Sequence, residues 1–169
     1  MNLKGNETKT KITNIIEDRA VFLNVNIFRS HQTKFSYNLS LIRKLRLTAP
    51  VDKIRARLEQ AGFMVLGKAY PNFKLMAYSH DKIIHIYNSV FRDYKNYYSI
   101  AHNQSKLVST LHFTLYTSCA KLLAAKFKLG TTAKVYKKFG PSLRGPKSSF
   151  VKAIYTTNYR DFKVNTNPI

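Results

Sequence analysis

SCAKLLAAKFKLGTTAKVYKKFG, residues 118–140, carries six lysines, two glycines and no acidic residue. Its apolar positions recur at helical spacing up to Gly130, where the pattern stops. A short second helix then restarts with Thr131 or Thr132 as its cap and Gly140 as its end. Working back from Lys128, the same periodicity predicts a long helix from about Gln104. Val108, Leu111, Leu115, Cys119 and Leu122 make its apolar face, widened by His112, Tyr116, Leu123 and Phe127. The opposite arc is Lys106, Thr110, Thr114, Thr117, Lys121 and Lys128, ammonium groups and hydroxyls with no carboxylate within a turn to neutralise them. Lys126 falls on the apolar side by helical angle, so it must snorkel or the helix must fray there.

The charge of the whole chain sharpens that observation. Twenty-nine Lys and Arg against eight Asp and Glu give a formal net charge of +21 over 169 residues. Between Asp93 and Asp161 there is no acid at all, and the basic residues concentrate in that interval. A compact state with this charge repels itself unless anions gather on it. Nucleic acid is the partner class such a charge calls for, ahead of an anionic membrane surface. No run reaches the roughly 18 apolar residues of a spanning helix. The first twenty residues lack the apolar core of a signal peptide, and Glu7, Glu17 and Asp18 are unlike an acid-poor transit peptide, so import is not signalled. Richness in Lys, Asn, Ile, Phe and Tyr is what AT-rich codons supply and points to an organellar genome.

Upstream, a helix from Ser79 places Ile83, Ile84, Tyr87, Val90, Phe91, Tyr94, Tyr97 and Tyr98 on one side and Lys82, His85, Asn88, Ser89, Arg92, Lys95 and Asn96 on the other. TAPVDKIRARLEQAG predicts a shorter helix with Thr48 as N-cap, Pro50 near the first turn, Gly62 as stop and Val51, Ile54, Leu58 and Ala61 on its stripe. The breaker-rich connection 62–78 has room for one short strand. AVFLNVNIF alternates as a strand and pairs, hairpin-like, with KFSYNLSL at 34–41. FVKAIYTTNYRDFKV at the C-terminal end has strand composition. The expected fold class is α+β, mainly helical: an amphipathic helix bundle with a small N-terminal β-hairpin.

Chemistry finds few candidates. Glu17 and Asp18 are adjacent and would diverge on a helix, and no other carboxylate pair invites acid/base work. The histidines at 31, 80, 85, 102 and 112 lack the i, i+4 arrangement of a helical zinc site and read as packed or surface groups. Cys119, the single cysteine, reads as a packed thiol and leaves no disulfide. GPSLRGPKSS misses the phosphate-loop pattern by Pro146 and reads as a basic turn. No catalytic residue, metal or cofactor is expected. Tyr97 and Tyr98 read as packing residues rather than base-stacking ones.

Three segments taken together, APVDKIRARLEQAGF, HDKIIHIYNSVFRDYKNYYSIAHNQSKL and SCAKLLAAKFKLGTTAKVYKKFG, resemble the maturase domain, domain X, of group II intron-encoded proteins. That family carries IIxxYNxxxRGxxNYY, then an Asn, then SxAKTLAxKxKL and KVFKKFG. FLNVNIF is similar to the FLG element that closes the palm of those polymerases before the thumb. The resemblance covers residues 20–143, with Asp93 standing where the family has Gly and Asn24 replacing the Gly of FLG. These residues hold no YADD-type carboxylate pair and no zinc-containing endonuclease module.

The resemblance implies four segments: 1–48, an arm and hairpin like the end of a palm; 49–78, a thumb-like helix and connection; 79–143, domain X; and 144–169, a basic tail. It implies a non-enzymatic RNA-binding protein of a mitochondrion, or less readily of a chloroplast, that stabilises folded group II intron RNA while the RNA does the chemistry. Phosphates would be neutralised by Lys106, Lys121, Lys126, Lys128, Lys134, Lys137, Lys138, Arg144 and Lys147, aided by Arg43, Lys44, Arg46, Arg55 and Arg57. Two alternatives share the same residues. One is a structural subunit of a large ribonucleoprotein such as the mitochondrial ribosome, binding ribosomal RNA and neighbouring proteins. The other is a piece of a split reverse transcriptase whose palm lies on another chain.

Overall fold

The computed structural model describes residues 13–15, 17–29 and 45–153. The expected strand at 34–41, most of the expected strand at 150–164, and Arg43, Lys44 and His31 lie outside them. Residues 150–153 join no strand.

β1 (Ala20–Phe22), β2 (Val25–Arg29) and β3 (Leu45–Thr48) form an antiparallel sheet in that order. The stretch expected as one strand is thus two. Leu23 and Asn24 adopt φ of 47° and 58°, a two-residue reversal that sets Ala20 opposite Ile27 and Phe22 opposite Val25. Asn is the side chain that best tolerates this left-handed conformation after glycine, which is how Asn24 serves where the related pattern has Gly. β2 takes β3 as its other neighbour, with Phe28 opposite Arg46.

α1 (Val51–Gln60) follows at once and buries Ile54 and Leu58. Thr48, expected as its cap, ends β3 instead. Pro50 occupies the N-cap position without a side-chain bond. Gly62, at φ 86°, stops the helix in a Schellman arrangement: Gly62 N–H donates to Glu59 O at 3.0 Å and Phe63 N–H to Leu58 O at 2.9 Å. Ala61 is therefore an exposed cap residue rather than part of the stripe. The connection holds two short strands, β4 (Met64–Val65) and β5 (Lys68–Ala69), paired around Leu66–Gly67, and one 3₁₀ turn at Phe73–Leu75.

The three remaining helices are α2 (His80–Tyr97), α3 (Gln104–Lys126) and α4 (Thr132–Phe139). Ser79 Oγ caps α2 by accepting from Lys82 N–H, and Thr131 Oγ caps α4 by accepting from Lys134 N–H. α3 packs against α2, α4 and β5. It buries Leu107, Val108, Leu111, Leu115, Cys119, Leu122 and Leu123, each leucine contributing about 2 kcal/mol by leaving water. Enclosure goes further round α3 than its apolar face, because Thr114 and Ser118 are also buried. Ser118 lies in a relay: Tyr87 Oη–H donates to Ser118 Oγ at 2.9 Å, and Ser118 Oγ–H donates to Tyr70 O.

Two amide side chains hold the ends of the bundle. Asn103 accepts from Ala49 N–H and donates to Ala49 O, both at 2.8 Å, while His102 N–H donates to Leu47 O at 2.8 Å. The entry to α3 is thereby bonded to the β3–α1 corner. Asn88, expected on the outer face of α2, is buried. Its amide donates to Ser149 O at 2.9 Å and accepts from Val151 N–H at 3.0 Å, which lays residues 149–151 across α2.

The loop after α4 is fixed by the first turn of α2. Asp81 accepts from Lys147 N–H at 3.0 Å and from Ser148 Oγ–H at 2.6 Å. A Cβ on Gly145 would overlap that carboxylate. His80 is buried between the rings of Phe127 and Phe139 and donates from Nε2 to Leu143 O at 3.1 Å.

Replacing Asn103 with Ala orphans the N–H of Ala49, which is only 3% exposed. The expected loss is about 2 kcal/mol in urea unfolding with an unchanged m-value. Ser99→Ala, on the exposed neighbouring turn, changes it by less than about 0.5 kcal/mol.

Acid should loosen the 143–148 loop in two stages. Burial holds the His80 imidazole below its ordinary value. Its contribution is complete above about pH 6.5 and is lost as pH falls through the lower folded value. The Ser148 hydroxyl and the Lys147 amide hold the Asp81 carboxyl below the ordinary carboxylate range. That second contribution is present above about pH 4 and is lost on further acidification. Urea midpoints at pH 7.5, 5.5 and 3 should fall stepwise, and His80→Gln should remove the first decline only.

Candidate nucleic-acid interface

On α3, Thr110, Thr114, Thr117 and Lys121 repeat every three or four residues and share one arc. The β4–β5 hairpin and the outer side of α1 face that arc across an open groove of about 550 Å³. Arg55 of α1, Lys68 of β5 and Lys121 supply its cations, and Thr114 lies on its buried floor. A second hollow of about 510 Å³ continues past Lys121, lined by Ala124, Lys128, Gly130 and Thr132. Lys121 stands on the wall of both. Its Nζ donates to Ala69 O at 2.8 Å, which uses one of three donors and fixes the ammonium at the junction.

Lys128 reaches the second hollow through a strained backbone. α3 ends at Lys126, two residues before the expected end. Lys128 takes φ 53°, its N–H donates to Ala125 O at 3.1 Å and Leu129 N–H donates to Ala124 O at 2.9 Å. That is a Schellman motif with lysine at the position where glycine is usual. Lys126 snorkels: its stem is half-buried and its Nζ donates to Met76 O at 2.9 Å. Among the described residues no Lys or Arg side chain is held in a salt bridge by a carboxylate of the chain.

The other residues singled out in the sequence are spread more widely. Arg46 is exposed on β3 and Lys106 on the first turn of α3. Arg57 points away from Arg55 into a separate hollow of about 310 Å³ with Asn24, Asp93, Tyr94 and Tyr97, so that wall does carry an acid. Lys134, Lys137 and Lys138 are exposed on α4, with the Lys138 Nζ 5.4 Å from the Phe127 ring centroid. Arg144 and Lys147 are exposed on the loop. That loop offers no anion cradle, because the Lys147 amide and Ser148 hydroxyl already serve Asp81.

Tyr98 is buried, as packing requires, but Tyr97 is exposed and its hydroxyl donates to Leu23 O at 2.7 Å. Cys119 is buried, which pushes its thiol up. His80, His102 and His112 each bond a backbone partner, and His85 is exposed. Among the described residues no three His, Cys, Asp or Glu gather as a metal site, and no helix is long and apolar enough to cross a membrane.

Lys68 and Phe113 were not anticipated. Lys68 sits in a stretch with no helical register to place it. Phe113 had a legible signal, an aromatic lying between Thr110 and Thr117 on an arc otherwise made of hydroxyls and lysines.

Residues 42–169 match the profile of the type II intron maturase family. The chain is 34% identical over 165 residues to a Schizosaccharomyces pombe "91 kDa protein in cob intron", which covers 95% of this chain and 19% of that protein. It is 36% identical over 149 residues to the Marchantia polymorpha "mitochondrial protein ymf11", covering 82% and 20%. A Saccharomyces cerevisiae "putative COX1/OXI3 intron 2 protein" is 34% identical over 123 residues, covering 71% and 14%. The chain spans about a fifth or less of the length of these relatives.

Proposed function

The chain belongs to the type II intron maturase family, and from that premise we propose that it grips folded group II intron RNA through the lysine-bearing groove and leaves the splicing chemistry to the RNA. Relatives named for cob and COX1 introns and for a mitochondrial protein support a mitochondrial setting. The thumb-like part, 49–78, and the domain X part, 79–143, supply opposite walls of the groove: Arg55 and Lys68 on one side, Lys121 on the other. RNA bound there touches both parts at once and holds them in register. The observation that carries this reading is a continuous cationic track, Arg55, Lys68, Lys121 and Lys128, none of which is held in a salt bridge among the described residues, with Glu59 at its rim bound to Gly67 N–H.

Close-packed phosphates in a folded RNA repel one another, and ammonium groups in a groove lower that repulsion while releasing condensed counterions. The exposed lysines of α4 and of the 144–147 loop extend the field around the track. Hydroxyls of the α3 arc add donors for phosphate and ribose oxygens, positioning contacts that carry no sequence code.

If about 6 to 10 phosphates are engaged, affinity for a structured intron RNA falls roughly a thousandfold or more between 50 and 200 mM salt. Filter-binding titrations across that range measure it, and a nearly flat slope would sink the proposal. Arg55→Ala and Lys68→Ala, whose head groups hold no internal partner among the described residues, should each reduce the slope by about one and leave stability within about 0.5 kcal/mol.

Lys128→Gly separates fold from function. Removing the left-handed strain should raise stability by about 1 kcal/mol while weakening RNA binding. A variant that is both more stable and fully competent in binding would take Lys128 out of the interface.

A further inference from the structure

Phe113 is 70% exposed in the middle of α3, and it lines the groove with Arg55, Lys68 and Lys121. The neighbouring rings of the bundle are engaged with one another: His112 and Tyr136 stack on Tyr116, and Phe150 meets Tyr116 edge-on. Phe113 has no ring partner among the described residues. Helix formation does not call for an aromatic at a water-facing position, where Phe is a weaker helix former than Lys, Gln or Ala.

A free ring face set among three cations is complementary to one kind of ligand. A nucleotide presents a flat π-face to cover the ring and a phosphate on either side for the cations. The base must be unpaired, because inside a duplex both faces of every base are covered by neighbours and only edges, riboses and phosphates remain accessible. An apolar knob from a protein partner fits less well, since covering the ring would strip water from uncompensated ammonium and guanidinium groups.

Resting on the RNA reading above, we infer that the groove holds an unpaired segment of RNA, with one base stacked on Phe113 and the flanking phosphates on Arg55, Lys68 and Lys121. The groove then distinguishes loops, bulges and junctions from continuous helix without reading their sequence, because every base has a face to offer.

The test uses the full chain with poly(U) as unpaired ligand and poly(A)·poly(U), which has few ends, as duplex. Phe113→Ala should weaken poly(U) binding roughly 5- to 150-fold, the range for losing one stacked base. Duplex binding should stay within about twofold, because its affinity comes from phosphates. Phe113→Tyr should bind poly(U) like the parent, and the salt slope should not change in either variant. The chain contains no Trp, so Phe113→Trp installs a single indole whose emission poly(U) should quench and the duplex should not. Equal losses on both ligands, no loss on either, or an unquenched indole in the presence of bound poly(U) would overturn the stacking site and leave the phosphate track intact. A parent chain that binds neither polymer would overturn both.

Discussion

Enclosure of α3 is the constraint from which the rest of the structure follows. α2, α4 and β5 all pack against this one helix, so its buried positions run from Leu107 to Ala124 and take in Thr114 and Ser118 as well as the leucines. A helix covered that far round can show water only a narrow strip. Here the strip carries Ser109, Thr110, Phe113, Thr117 and Lys121. The apolar surroundings that stabilise α3 are therefore also what confine its polar groups to one side, opposite Arg55 and Lys68. Position in the bundle, more than any local motif, turns scattered basic residues into a track.

The connection between α1 and α2 is held to α3 by hydrogen bonds that leave this charge intact. Lys121 donates to Ala69 O and Lys126 to Met76 O, and Ser118 donates to Tyr70 O. A carboxylate acceptor would have given stronger bonds, but each would have cancelled a positive charge beside the groove. A carbonyl satisfies one ammonium proton and leaves the net charge, with two donors still free. The β4–β5 hairpin is thus fixed at the groove edge by the same groups that give the groove its potential.

Helix positions were legible in the sequence because they are local. Gly62, Thr131 and Gly140 stand where the pattern put them, since a cap depends on residues within one turn, whereas Thr48 is taken up by the end of β3 and Pro50 holds the N-cap of α1. The N-terminal strand was misjudged because its alternation is unbroken through Leu23 and Asn24, and nothing in that pair announces a reversal as Asn-Gly would. Asn88 and Thr114 were assigned outward because they are polar, and Ser118 was given no face. Their burial depends on carbonyls of residues far along the chain, Ser149 for Asn88 and Tyr70 for Ser118, which no helical wheel contains. Of the track, Lys121 and Lys128 could be read from periodicity, whereas its opposite wall depends on how an irregular connection folds back. Arg55 and Arg57 were grouped as equivalents. Two residues apart on a helix they are about 200° apart, and the structure sends them to different hollows.

The few acids of the described core follow a rule that complements the lysines. Glu59 accepts from Gly67 N–H at 3.1 Å and so braces the tip of the β4–β5 hairpin. Asp81 accepts from Lys147 N–H and Ser148 Oγ–H and organises the loop after α4, and Asp18 accepts from Arg19 N–H. These three carboxylates bind backbone amides and a hydroxyl, and the two fixed ammonium groups bind backbone carbonyls. Among the described residues these charges of opposite sign form no salt bridge with one another. Ion pairs on an exposed surface would have added little stability while quenching the field across the groove. Bonding these few charged groups to the main chain and to a hydroxyl meets their hydrogen-bonding demand and leaves the net positive charge of the groove uncancelled.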